Sequence, residues 1–214
     1  MKNKFTIIIT SVIVLIPMLV GVAFWDALPE QVAIHWGASG EPDGWCSKAF
    51  AVYAVPLIML ALHWACLFAT RFDKKNRGQN PKMMNITYWL VPAVSWVANG
   101  MTYADALGKD IDVIRLLPII TGALFLFIGN YLPKCTPNRT VGIRIKWTLE
   151  DEENWNATHR FGGKVWFVGA IVILASSLLP AKISVCAMIV ATLAMAAAPI
   201  IYSYCFSRKK NRKK

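Results

Sequence analysis

Three places in the 214-residue sequence gather side chains able to bind or transfer something. His35, Glu41 and Asp43 are close together, and an imidazole with two carboxylates is a donor set suited to a metal ion. No His-x-x-x-His or Glu-x-x-x-His spacing supports that use, so no metal is expected. With Trp36, Gly40, Gly44 and Lys48 the same groups instead make a small ordered cap that could recognise a peptide. A second place begins at Asn138 and Arg139 and continues through Gly142 and Arg144, two guanidinium forks near a glycine, suited to lipid phosphates or a partner's carboxylates. Trp147 follows, and then Trp155 and His159, four apart and so on one face of a helix. The third place is His63, a lone ionisable group beside Trp64 inside an apolar run, where either a proton relay or a hydrogen-bonded packing residue would sit. The packing role is expected. None of the three sets a nucleophile and a base at a recognisable spacing, so neither catalysis nor a cofactor is expected.

The elements that position these groups follow from hydropathy. The chain is 56% hydrophobic and only 16% charged, too little charge to cover a water-soluble domain of this size. Crossing a hydrocarbon core takes about 20 apolar residues in a helix. Six segments qualify: 5–24, 50–70, 86–103, 116–132, 165–179 and 183–206. The first, after Met1 to Lys4, also looks like a signal peptide, but Val22-Ala23-Phe24-Trp25 is a poor cleavage site and an uncleaved span is expected. With the N-terminus inside, 19 of the 23 Lys and Arg fall on one face, leaving Lys48, Lys109, Arg115 and Lys182 on the other. Cytoplasmic loops retain basic residues, so the expectation is an all-α integral membrane protein with six transmembrane helices and both termini cytoplasmic. This arrangement absorbs the net charge of +11 and the polybasic tail RKKNRKK, which suit anionic headgroups. A direct nucleic-acid role is therefore not expected. The five cysteines form no C-x-x-C pair and are read as structural.

Three parts follow. Residues 1–70 form a two-span unit around an extracellular loop at 25–49. Residues 71–112 hold a basic cytoplasmic loop, the third span and an outer turn. Residues 113–214 form a three-span unit with a cytoplasmic loop at 133–164. In that loop Thr148 reads as an N-cap ahead of Glu150, Asp151, Glu152 and Glu153, which favour the positive end of a helix dipole. A short interfacial helix from about Leu149 to Arg160 follows, ended by Gly162-Gly163. Its Trp155 would anchor it on the inner leaflet. The brief Pro180-Ala181-Lys182 connection requires the last two spans to form a tight antiparallel hairpin.

Two stretches carry a resemblance. LPEQVAIHWGASGEPDGWCSK, with its LP, IHW, G-x-x-DGW and Lys elements, resembles the domain of unknown function that commonly forms the N-terminal part of SdpI-family proteins. GNYLPKCTPNRTVGIRIKWTLEDEENWNATHRFGGK is similar to that family's C-terminal signature, with GN-x-LPK, PN, GIR, WTL and NW-x-x-TH-R-x-GG in order. Lys146 stands where the pattern has proline. The resemblance implies a multi-pass protein of the bacterial cytoplasmic membrane that protects against a secreted killing peptide. It also implies transduction of the peptide's presence by holding a cytoplasmic repressor at the membrane. The partners so implied are the bilayer, an extracellular toxin peptide and the repressor. A small transporter or channel component, on the strength of His63, and a purely structural membrane protein are the other readings carried forward.

Overall fold

The computed structural model describes residues 2–37, 39–72 and 81–212. Most of the basic loop expected at 71–82 lies outside the described residues, as do the last two lysines of the tail. The chain divides into two compact units. The first comprises Met1–Ala69 with Met84–Val113, and the second comprises Thr70–Met83 with Ile114–Lys214.

In the first unit, α1 (Lys2–Ala23), α2 (Val55–Phe72) and α3 (Pro81–Ala106) are the long helices. A single π-helical turn, Phe50–Ala54, leads into α2. Large apolar side chains point outward, among them Phe5, Ile8, Val12, Leu57, Ile58 and Leu62, while Thr10, His63, Ser95 and Asn99 are buried. That inversion is what lipid, rather than water, makes favourable: exposed apolar groups cost nothing there and polar groups must find partners inside. Trp96 donates its indole N–H to the Ile13 carbonyl at 3.0 Å, tying α3 to α1. Gly21 lets α1 approach α3 and the π turn, because a Cβ there would come within 2.7 Å of the Tyr103 hydroxyl and 2.8 Å of Val52.

Between α1 and the π turn the chain forms an antiparallel hairpin, β1 (Gln31–Trp36) and β2 (Pro42–Ser47), which departs from the all-α expectation. The turn signals at Gly37, Gly40 and Asp43-Gly44 belong to it, and Gly40 has the positive φ of 84° that the reversal needs. A bulge at Ile34 separates the Ala33↔Trp45 and His35↔Gly44 pairs. Val32 and Ala33 are buried, and nearby Leu28 packs with Val52 and Tyr103.

In the second unit, α4 (Val113–Tyr131) packs on α6 (Glu152–Ser176) through glycines. A Cβ on Gly122 would meet Leu174 at 2.7 Å, and one on Gly129 would meet Trp166 at 2.9 Å. α6 and α7 (Ala181–Asn211) form the expected tight hairpin. Gly169 lies against Met195, and Trp166 donates to the Met195 carbonyl at 3.0 Å.

Among the described residues, four helices are long and apolar enough to cross a membrane, spanning Lys4–Ala23, Phe50–Phe72, Val113–Lys134 and Ala181–Asn211. This is a mostly helical, multi-pass membrane protein. The six expected spans are thus four by length and composition. α3 and α6 are long enough but are diluted by polar residues, α6 most heavily over Glu152 to Arg160.

The separate interfacial helix is corrected. α6 starts at Glu152 and runs unbroken through Gly162 and Gly163 to Ser176. The two glycines are contact points rather than a stop, since a Cβ on Gly163 would lie 2.6 Å from Pro133 and one on Gly162 2.8 Å from Ile143. The cap is Asp151, whose carboxylate accepts from the Glu153 N–H at 3.0 Å. Thr148 lies instead in a separate short helix, α5 (Lys146–Glu150).

Candidate functional site

The 132–163 segment folds back on the start of α6 and is organised by a few side chains. Asn138 is fully buried. Its Nδ2 donates to the carbonyls of Thr136 at 2.8 Å and Val141 at 2.9 Å, while its Oδ1 accepts from the N–H groups of Thr140 at 2.8 Å and Val141 at 2.6 Å. One amide thereby closes the turn from both sides, which an Asn side chain does because it mimics a peptide group. Thr148 locks the next bend. Its Oγ1 accepts from the Ile145 N–H at 3.1 Å and reaches the Ile143 carbonyl at 2.8 Å.

Trp155 is 0% exposed and stacks on His159 with ring centroids 4.0 Å apart. Its indole N–H donates to the Cys135 carbonyl at 2.7 Å. Trp155 therefore holds the loop to the helix and is not a bilayer anchor. His159 sets its own tautomer. Nδ1 lies 2.8 Å from the Trp155 carbonyl, which can only accept, so Nδ1 carries the proton, and Nε2 accepts from the Ile143 N–H at 3.0 Å. Burial pushes the imidazole down to about 4, against the opposing pull of the Trp155 carbonyl. Gly142, at φ 112°, passes over both rings, and a Cβ there would be 2.5 Å from Nε2 of His159.

The base of α6 is fastened to the end of α7. The Asn154 Nδ2 donates to the Ser203 carbonyl at 3.0 Å, and its Oδ1 accepts from the hydroxyls of Ser203 at 2.7 Å and Thr158 at 2.9 Å. Lys210 bridges Asp151 and Glu153, each at 2.8 Å. Its hydrogen bond holds the Asp151 carboxyl below the usual range, while Asp151 and Glu153 raise the Lys210 ammonium. Arg139 and Arg144 are exposed, and Arg144 donates to the Arg139 carbonyl. Half-buried Trp147 lies against Tyr204, with centroids 5.1 Å apart. Of the residues singled out in this segment, Asn138, Trp155 and His159 are interior, and the two arginines face outward.

The other candidate group lies on the hairpin of the first unit. His35 Nδ1 is 2.5 Å from the Asp43 carboxylate, and Gly44 is the residue whose missing Cβ leaves room for the His35 side chain. Trp36 pairs with Pro42, and Gly40 turns the chain between them. Lys48 pairs with Glu30 at 2.8 Å and lies over the Trp25 ring at 5.0 Å. Among the described residues, no three His, Cys, Asp or Glu are placed to hold a metal ion.

The SdpI/YfhL protein family matches residues 134–203, the stretch whose turns and clasps are given above. A domain of unknown function, DUF1648, matches residues 12–60, which include the hairpin. Immunity protein SdpI of Bacillus subtilis (strain 168) is 24% identical over 204 residues, 95% of this chain and 97% of that protein. No solved structure matches the chain significantly. In the matched stretch and the helix end that follows it, sequence reasoning missed Asn154, Thr158, Ser203 and the Lys210 bridge. Asn154 and Thr158 had a signal in their helical spacing of four. Ser203 and Lys210 had none, because their partners are 49 and 59 residues away.

Proposed function

We propose that this chain is a non-enzymatic immunity protein of the bacterial cytoplasmic membrane, protecting its cell against a secreted killing peptide. The observation that carries the reading is the similarity to Immunity protein SdpI along nearly the whole of both chains. In this reading α3 and α6 also cross the bilayer, making six spans with both termini cytoplasmic, an arrangement supported by the one-sided distribution of Lys and Arg. The hairpin, with His35, Trp36, Gly40, Asp43, Gly44 and Lys48, then faces the outside and meets the peptide. The 133–164 loop faces the cytoplasm and engages a repressor through Arg139, Arg144 and Trp147, on a platform held by Asn138, Gly142, Trp155 and His159. A peptide signals across the membrane only if it binds two arrangements of the helices unequally.

The direct test expresses the chain in a peptide-sensitive strain and challenges it with the toxin of its siblings. Survival is expected, and unchanged killing overturns the reading. An Arg139→Ala, Arg144→Ala double variant should keep membrane insertion and survival but lose co-purification of the cytoplasmic partner. Ion flux through the chain in liposomes would favour the transporter reading instead, because protection by binding produces none.

A further inference from the structure

The α6–α7 hairpin of the second unit leaves an open groove of about 800 Å³ on one side, lined almost entirely by apolar atoms. Small residues make the groove. Gly169 of α6 lies against Met195 and near the Ala191 carbonyl, and Ala187, Ala191 and Ala194 give α7 little bulk on this side. The exposed side chains of Val168, Val172 and Val190 are then left standing as its walls. On α7 the lining runs from Ile183 to Met195, about 18 Å of helix. One leaflet takes half of a ~30 Å hydrocarbon core, about 15 Å. The groove is therefore about as long as one leaflet is deep.

One end of the groove is cationic. Lys164 lines it, and Arg160, Lys164, Val168 and Val172 recur every four residues of α6, so they share a face. Arg160 thus lies one turn beyond the groove, toward the start of the helix. Both cations are exposed, and among the described residues neither has a carboxylate partner. A helical side chain leans toward the N-terminus of its helix, which carries the Lys164 ammonium out of the hydrocarbon toward the headgroups. An apolar channel of one leaflet's depth with two cations at its mouth is complementary to an acyl chain beneath a phosphate. A second copy of the hairpin fits less well. A parallel copy would bring its own Arg160 and Lys164 to the same level. α7 has no acidic residue, and those of α6 are Glu152 and Glu153, at least about 16 Å along the axis from Lys164. Glu153 is moreover already bridged by Lys210.

We propose that the α6–α7 groove is a binding site for an anionic phospholipid, with one acyl chain lying between Val168, Val172 and Val190 and the phosphate held by Arg160 and Lys164. The inference rests on α6 crossing the bilayer beside α7, as in the topology above, and needs neither peptide nor repressor. A bound chain completes the packing of a hairpin whose own side chains leave a channel. It also ties the placement of that hairpin to the anionic lipid content of the membrane.

The test uses the full chain in phosphatidylcholine vesicles doped with either phosphatidylglycerol or phosphatidylcholine carrying a photoreactive diazirine in the acyl chain, the labelled residues being located by mass spectrometry. The phosphatidylglycerol probe should label 165–172 and 183–194 the more strongly, by roughly fivefold for each cation that meets the headgroup. Unlabelled phosphatidylglycerol should compete, and inorganic phosphate should not. The preference should disappear in an Arg160→Gln, Lys164→Gln double variant and persist in Lys164→Arg. Ala194→Leu, which fills the groove from an exposed position, should reduce labelling by both probes. Equal labelling of the parent chain by the two probes, labelling that avoids these stretches, or competition by inorganic phosphate each overturns the site. Chain-to-chain crosslinks through Val168 or Val190 in place of lipid adducts would give the groove to a second copy and overturn it as well. The deciding comparison is made on the parent chain and does not depend on the variants folding. A reporter at residue 180 that reads as cytoplasmic would break the topology on which the site rests, whereas equal labelling with an external reading at 180 breaks the site alone.

Discussion

Gly142 and His159 illustrate how single residues decide the geometry of the 132–163 segment. Gly142 combines a left-handed backbone with a close approach to the imidazole, so Gly142→Ala incurs both backbone strain and a clash. A loss of about 1–3 kcal/mol is expected in denaturant unfolding of the detergent-solubilised chain. Unchanged stability would mean that the loop does not pass over the ring. His159 makes stability depend on pH. Its folded-state pKa of about 4 lies below the ordinary 6.5, so between these values the unfolded chain binds the extra proton. The stability is complete above about pH 6.5, declines as pH falls toward about 4 and is flat below. The ceiling is about 3 kcal/mol. Unfolding midpoints across that window should flatten in His159→Gln, and an equally steep profile in the variant would assign the dependence elsewhere.

For α6, the question is why two adjacent glycines do not end it. Replacing Gly163 by alanine would favour the isolated helix by about 1 kcal/mol. In the folded chain the added Cβ meets Pro133 at 2.6 Å and the Gly129 carbonyl at 3.0 Å. Overpacking should win, giving a net destabilisation of about 1–3 kcal/mol, and a stabilised Gly163→Ala would refute the contact. The start of α6 is set by Asp151, and Asp151→Ala should cost about 1 kcal/mol through the lost cap. The junction of α6 with α7 rests on Asn154 and Ser203. A double-mutant cycle between Asn154→Ala and Ser203→Ala should give a coupling of about 1 kcal/mol, because the two side chains satisfy each other in the interior. A coupling of zero would place the hydrogen bond's energy elsewhere.

Across the whole molecule, the side of the membrane on which each segment lies governs what each candidate group can meet. Reporter fusions near residues 47, 110 and 180 should read as external, and those near residues 78, 140 and 212 as cytoplasmic. A cytoplasmic reading at 180 would leave α6 and α7 short of a transmembrane hairpin and would separate the SdpI-like segment from the proposed topology. The two candidate groups belong to different compact units, the hairpin to the first and the 132–163 segment to the second.

The sequence by itself determined the membrane class, the tight α6–α7 connection and the family resemblance, because hydropathy and short motifs are local and lipid imposes them segment by segment. It marked the turn residues of 25–49 without revealing that they close a β-hairpin, since strand pairing depends on register between Val32 and Cys46. It picked out Asn138, Trp155 and His159 but could not say that they face inward. The stacking of Trp155 on His159 and the bonds to Cys135 and Ile143 are made by chain segments up to 20 residues apart. Whether Gly162-Gly163 ends a helix or lets Pro133 approach it is likewise decided by a distant neighbour rather than by propensity. Only the tertiary structure supplied those neighbours, and with them the separation of scaffold residues from the exposed arginines.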